Sequence, residues 1–347
     1  MNCIWPGDYG WFGAFYLYGW FVFGFIALGA IVAGVALPFI IKIQRAASIG
    51  QQVYEDGPSS HIVKQGTPTM GGLAFPLAAV AAVIFSATLA NWIGVTRWIG
   101  IWTAVFVLVV AGIGFVDDFL KLRRMRALGL RARTKMLLLT VVAIVFVVVF
   151  STGHGVGCRV AADFDWAQLW FGGAILLPTA LYYALAILAI VGSANAVNLT
   201  DGVDGLASAT VIPPLIALAL LSGDAVVFAI LGALIVFYFF NSHPAIVFMG
   251  DTGSLTLGAL LAFLAVEAHA ILILPLLGIV FVVESLSVIV QVASFKITGR
   301  RIFKMSPLHH HFELSGWSER KITAVFFGVS LIASLAVCAL YLRIPLH

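Results

Sequence analysis

Two adjacent carboxylates, Asp117 and Asp118, close a long apolar run and open the most basic segment of the chain, residues 114–135. A helix C-terminus carries partial negative charge, so two anions there are disfavoured unless cations compensate them. Lys121, Arg123 and Arg124 follow at once, and Lys135 lies just beyond. Simple neutralisation at a membrane surface is the plain reading; a site that handles metal or phosphate is the chemical one. Other polar stretches pose the same choice. In residues 195–206, Asn198, Asp201 and Asp204 recur every three positions without a Lys or Arg among them. That spacing suits turns and a helix cap, or a group of carboxylates that wants donors or a metal. Asp251 stands just before another apolar run, a helix-capping position, with Asn241, His243 and Phe248 in the same stretch and the Phe248 ring free to stack on a planar ligand. His309, His310 and His311 diverge on any regular element, which argues against a zinc site built from all three. Among lysines and arginines they suit phosphate binding or proton transfer near neutral pH. Residues 61–73 run from Lys64 into a glycine-rich entry whose backbone amides suit an anion, although no Walker-type GK[ST] follows and a plain Gly/Pro turn is the better explanation of the pattern alone.

The elements that must position these groups follow from composition. With 62% hydrophobic and 10% charged residues and a mean hydropathy of +1.09, the chain is not an ordinary soluble protein. We expect an all-α polytopic membrane protein forming one domain over residues 1–347. A spanning helix needs about 20 mostly apolar residues. Ten runs qualify: 19–42, 69–90, 98–116, 136–152, 169–191, 206–221, 225–241, 254–268, 270–293 and 322–342. Their continuous apolarity excludes a membrane barrel, whose strands alternate. Loops after the odd-numbered runs hold sixteen of the nineteen basic residues, leaving Arg97, Arg159 and Arg343 for the other side. The positive-inside rule then puts both termini outside and the basic loops in the cytoplasm.

Every motif with chemical potential falls in a cytoplasmic loop on this topology, so the expected active site lies on the cytoplasmic face. The outer residues Asp163 and Asp165 have no candidate partners. Of the two carboxylates near the spans, Glu267 and Glu284, the second is the better candidate for a role. Cys3, Cys158 and Cys338 have no metal-ligand spacing, and whether Cys3 and Cys158 pair is left open. The first basic residue is Lys42, so no charged leader of a secretory signal is visible.

Carboxylates beside many cations suit a magnesium ion and a phosphorylated ligand, since magnesium is held by one or two carboxylates, waters and phosphates. At a membrane face, a cytosolic phosphate compound would meet a lipid. The stretches HIVKQGTPTMGG, FVDDFLK, NAVNLTDGVDGLA, FMGDTGSL and PLHHHFEL, in this order, resemble those of the polyprenyl-phosphate N-acetylhexosamine-1-phosphate transferases. The HHHFE element together with GTPTMGG is similar to their phospho-N-acetylmuramoyl-pentapeptide branch. The resemblance runs from about residue 57 into the last span; the first 50 residues match only as a helix.

The resemblance implies transfer of phospho-N-acetylmuramoyl-pentapeptide from UDP-N-acetylmuramoyl-pentapeptide (UDP-MurNAc-pentapeptide) to undecaprenyl phosphate, giving lipid I and UMP. It further implies Mg2+ dependence, a homodimer, no nucleic-acid partner and residence in the bacterial inner membrane. By motif, Asp251 would be the metal ligand, Asp117 and Asp118 would stand beside the reacting phosphates, and His310, within His309–His311, would touch phosphate or sugar. Lys64, Thr69, Asn198, Asp201, Gly202, Asp204, Asn241 and Phe248 would form the nucleotide pocket, with Lys121 and Lys135 steering the anions. A GlcNAc-1-phosphate transferase of the same superfamily is the nearest alternative. A secondary transporter is more remote, because it predicts midplane charges and paired broken helices in two related halves.

Overall fold

The computed structural model describes residues 11–46, 50, 64–93, 100–124, 129–151, 166–169, 173–176, 179–268 and 270–342. Cys3, Cys158, Asp163 and Asp165 lie outside these. The described chain is helical apart from one antiparallel hairpin, β1 (Trp166–Leu169) and β2 (Gly173–Leu176), in which Trp166 faces Leu176. The helices are α1 (Trp11–Ala46), α2 (Ala74–Ile93), α3 (Ile101–Arg124), α4 (Ala132–Ser151), α5 (Thr179–Thr200), α6 (Leu206–Ser222), α7 (Ala225–Asn241), α8 (Gly250–Glu267), α9 (Leu274–Leu277), α10 (Ile279–Thr298), α11 (Leu308–Glu313) and α12 (Glu319–Leu342). Seven of them, α1 to α5, α10 and α12, are long and apolar enough to cross a bilayer, and α6 and α7 are shorter apolar helices. Helices are the expected solution, because backbone polar groups in lipid must be satisfied within their own segment.

Each of the ten predicted runs contains helix, but three boundaries move in ways that matter. The fifth run was expected to begin at residue 169; β1 and β2 take its first residues, and α5 starts at Thr179 and reaches Thr200. The third run was expected to stop before the carboxylate pair, yet α3 continues to Arg124, because Lys121, Arg123 and Arg124 complement the helix C-terminus. The ninth run breaks at Gly278 into α9, with Pro275 in its first turn, and α10.

The organising element is α8. From Asp251 to Val266 every residue is buried, the pattern of a helix wrapped by others on all sides. It packs against α3, α5 and α6. Small residues permit these crossings: a Cβ on Gly114 of α3 would collide with the Asp251 carbonyl, and one on Gly258 with the Ser193 carbonyl of α5. The entrance to α8 is tied to the entrance to α2 by a short backbone zipper. Phe248 N–H donates to the Pro68 carbonyl (2.8 Å), Gly71 N–H to Phe248 (2.9 Å) and Gly72 N–H to Met249 (3.0 Å). From α1, the buried Gln44 amide clamps Thr69, accepting its N–H at 2.8 Å and donating to its carbonyl at 2.6 Å.

Two glycines of α3 separate packing from propensity. Gly112 has open space where a Cβ would go, whereas Gly114 meets α8 backbone. Gly114→Ala should therefore lower stability by about 1–3 kcal/mol through overpacking, while Gly112→Ala should be neutral or slightly stabilising. Melting curves of the detergent-solubilised variants would check the contrast.

Candidate active site

The site starts from the unsatisfied backbone at the head of α8. The first N–H groups of any helix lack intrahelical acceptors, and the residue before α8, Met249, provides no side-chain cap. Asp118 provides one from α3. Its Oδ1 accepts from Asp251 N–H (3.0 Å), and its Oδ2 from Thr252 N–H (2.9 Å) and the Thr252 hydroxyl (2.7 Å). A carboxylate at a helix N-terminus is also favoured by the helix dipole. Gly250 makes the approach feasible: its φ is +73°, and a Cβ there would lie 2.5 Å from Asp118 Oδ2. Asp118, only 2% exposed, is thus committed to holding α8.

Its neighbour does something else. Asp117 Oδ1 accepts from Leu130 N–H (2.7 Å), in the loop that covers it. Asp117 Oδ2 is buried without a well-aligned hydrogen bond and touches ammonium groups, Lys121 at 2.6 Å and Lys135 at 3.5 Å. The same two lysines meet Asp251 in the first turn of α8, Lys121 at 3.1 Å from Oδ1 and Lys135 against Oδ2. Asn198, near the end of α5, donates to Asp251 Oδ1 (3.0 Å) and lies 2.8 Å from the Ser254 hydroxyl. Carboxylate oxygens of Asp117, Asp118 and Asp251 lie within 4.8 Å of one another. An all-oxygen donor set whose free atoms already attract cations fits a hard divalent ion such as magnesium. Asp251 would hold it, with Asp117 Oδ2 beside it, since both oxygens of Asp118 are spent on α8.

The turn from Asp201 to Gly205 joins this centre to two further groups. Burial pushes the Asp201 carboxyl up to about 7, and the negative charges of Asp251, Asp118 and Asp204 add to the effect. Gly202 abuts a histidine: a Cβ on it would lie 2.5 Å from His309 Nε2. His309 is fully buried, with Nδ1 at 3.2 Å and its backbone N–H at 3.1 Å from the Glu284 carboxylate. Burial pulls this imidazole below the ordinary histidine value, against the opposing pull of Glu284. His310 Nδ1 lies 3.1 Å from Glu313 Oε2, and His311 Nδ1 accepts from Lys304 N–H (3.1 Å). The three histidines therefore serve three different partners.

The second group is centred on Asp204. Its Oδ1 meets Lys64 Nζ at 2.8 Å, and its Oδ2 accepts from Ala245 N–H (3.1 Å) and lies 3.1 Å from His243 Nδ1. Lys64 also meets Glu319 Oε2 at 2.7 Å. Burial tends to lower the Lys64 pKa, but the hydrogen bonds to Asp204 and Glu319 outweigh it and raise it. Asn241 is 2% exposed; it donates to the Val247 carbonyl (3.0 Å) and accepts from the Ser208 hydroxyl (2.9 Å). Thr69 is likewise buried, so its backbone bonds to Gln44 and the side-chain bonds of Asn241 to Val247 and Ser208 tie down the loops on either side of Phe248. The sequence did not single out Gln44, Thr252, Ser254 or Glu319, each of which holds a site residue.

These features define a centre of carboxylates and ammonium groups, suited to a cation and phosphate, among helices long and apolar enough to cross a membrane, and similarity to known proteins gives its class as a transferase. Residues 98–269 match the family model described as glycosyl transferase family 4. Residues 64–75 match the phospho-N-acetylmuramoyl-pentapeptide-transferase signature 1. A phospho-N-acetylmuramoyl-pentapeptide-transferase of Heliobacterium modesticaldum is 44% identical over 326 residues, covering 90% of this chain and 95% of the relative. Proteins with the same description from Carboxydothermus hydrogenoformans (44% identity, 90% and 94% coverage) and Bacillus pumilus (39%, 92% and 97%) are similar throughout. The chain belongs to the phospho-N-acetylmuramoyl-pentapeptide-transferase family.

Asp118→Ala should lower stability by about 2 kcal/mol or more, because it uncaps α8 and orphans buried donors, whereas Asp117→Asn should unfold no more readily than the parent. Thermal melts of both variants would decide. Asp201 has its folded pKa above the ordinary 3.8, so its protonated form favours the fold and that contribution is lost as pH rises through about 7. In metal-free protein, Asp201→Asn should gain melting temperature relative to the parent between about pH 5 and pH 8.

Proposed function

We propose that the protein transfers phospho-N-acetylmuramoyl-pentapeptide from UDP-MurNAc-pentapeptide to undecaprenyl phosphate, forming lipid I and UMP. The observation that carries this reading is the buried meeting of Asp117 and Asp251 with Lys121 and Lys135, in a chain of this family. On this reading the chain crosses the bacterial inner membrane ten times with both termini outside; the basic loops, which favour the cytoplasm, support a centre at the cytoplasmic face, where a soluble nucleotide sugar reaches a lipid phosphate. The protein works as a homodimer.

In the reaction an oxygen of the lipid phosphate attacks the sugar-bearing phosphorus of the UDP donor. A new P–O bond forms, the bond from that phosphorus to the bridging oxygen breaks, and UMP leaves with the electron pair. Of the adjacent aspartates, Asp117 is the one to accept the proton of the lipid phosphate. Its Oδ2 faces the Lys121 and Lys135 ammonium groups, which an incoming phosphate can draw away, while both Asp118 oxygens hold the backbone of α8. The Lys121 and Lys135 ammonium groups hold the anionic phosphates and stabilise charge on the transferring group. Magnesium held by Asp251 would supply further neutralisation of the pyrophosphate. The Asp201–Asp204 turn, Lys64, Asn198 and Phe248 frame the nucleotide, and His310 contacts phosphate or sugar.

The test is a reconstituted assay with undecaprenyl phosphate, offering UDP-MurNAc-pentapeptide and UDP-GlcNAc as rival donors. Release of UMP with formation of lipid I only from the first donor is expected. Transfer of GlcNAc phosphate alone would move the protein to the other branch of the superfamily. Asp117→Asn should lower kcat by about 100-fold or more while the folded yield is kept, and chelation of divalent ions should abolish turnover.

A further inference from the structure

We propose that Glu319 is a positioning residue of the nucleotide pocket, acting through Lys64 and through the backbone of Asp204. This rests on the reading that these two residues frame the nucleotide. Glu319 opens α12, far along the chain from both partners. Its Oε2 alone receives Lys64 Nζ at 2.7 Å and Asp204 N–H at 3.0 Å, and lies 3.7 Å from His243 Nδ1. The side chain is only 10% exposed, and that of Lys64 15%, so water screens the contact weakly.

Lysine is a point charge on a flexible stem, and one anchor would leave its ammonium group free to swing. Two anchors fix it. An ammonium group has three donors, and Asp204 and Glu319 take two, which leaves one N–H with a set direction. The same Glu319 oxygen fixes the Asp204 amide, so the carboxylate of Asp204 faces Lys64 and the turn at His243–Ala245 from a held backbone. One glutamate oxygen thereby sets the geometry of three segments: the one leading to α2, the turn before α6 and the start of α12.

The docking of α12 does not depend on this charge. Ile322 packs with Val203 and Leu206, flanked by Phe312, Trp317 and Phe326, and the Thr323 hydroxyl donates to the Asp204 carbonyl (3.2 Å). A neutral side chain of equal shape should therefore leave the helix in place and loosen only the pocket.

Glu319→Gln separates the possibilities. The KM for UDP-MurNAc-pentapeptide should rise about tenfold, with kcat within about twofold and the KM for undecaprenyl phosphate unchanged, the size expected for one charged hydrogen bond. Binding of UMP to the resting protein, measured by calorimetry, should weaken by a similar factor, and the melting temperature should stay close to that of the parent. Unchanged nucleotide affinity would overturn the proposal, as would a fall in kcat and melting temperature together, which marks a merely structural role. If the parent releases no UMP from the donor but Glu319→Gln still weakens UMP binding, the assigned reaction fails and the positioning role stands.

Discussion

The contact on which the rest of the centre depends is the carboxylate of Asp118 against the first N–H groups of α8. A helix with its head buried needs acceptors there, and a membrane interior provides few. By taking them from α3, the fold fixes two helices against each other at the point where Asp251 and Asp117 must face. The Gly114 crossing and the Asp118 cap are two aspects of one interface: the glycine lets the backbones approach, and the aspartate holds them in register. Asp251 is then carried on the first turn of a helix that is buried from Asp251 to Val266, so its position inherits the rigidity of the whole bundle.

Much of this was legible in the sequence, for identifiable reasons. Continuous apolar runs announce membrane helices: all ten contain helix, and seven lie in helices long and apolar enough to cross a bilayer. The clustering of carboxylates, lysines and histidines between those runs marked the segments that the fold brings together, because charged groups are costly in lipid and stay where function or solvent accepts them. The resemblance in five ordered motifs then named the family.

What escaped was the division of labour among neighbours. Asp117 and Asp118 are adjacent and chemically identical, and only the position of α8 makes one a cap and leaves an oxygen of the other open toward lysines. Asn241 and Thr69 were expected in the nucleotide pocket, and nothing in the sequence signals the buried partners, Val247 and Gln44, to which they are tied. Glu319 carried no local signal at all, since a glutamate at the start of a helix is ordinary; its partners lie 255 and 115 residues away. The fifth run was misplaced at its start because the apolar residues of a hairpin and of a helix are alike when read in one dimension.

The pairing of Lys121 and Lys135 with both Asp117 and Asp251 has a consequence for how ligands compete and cooperate. The ammonium groups act as internal counter-ions, so a cation enters this centre by exchange. Each carboxylate it captures releases a lysine, and a released lysine is free to attract an anion. Cation and phosphate compound should therefore bind with positive coupling, each raising the affinity of the other by the same factor, without any change in the helices that surround them.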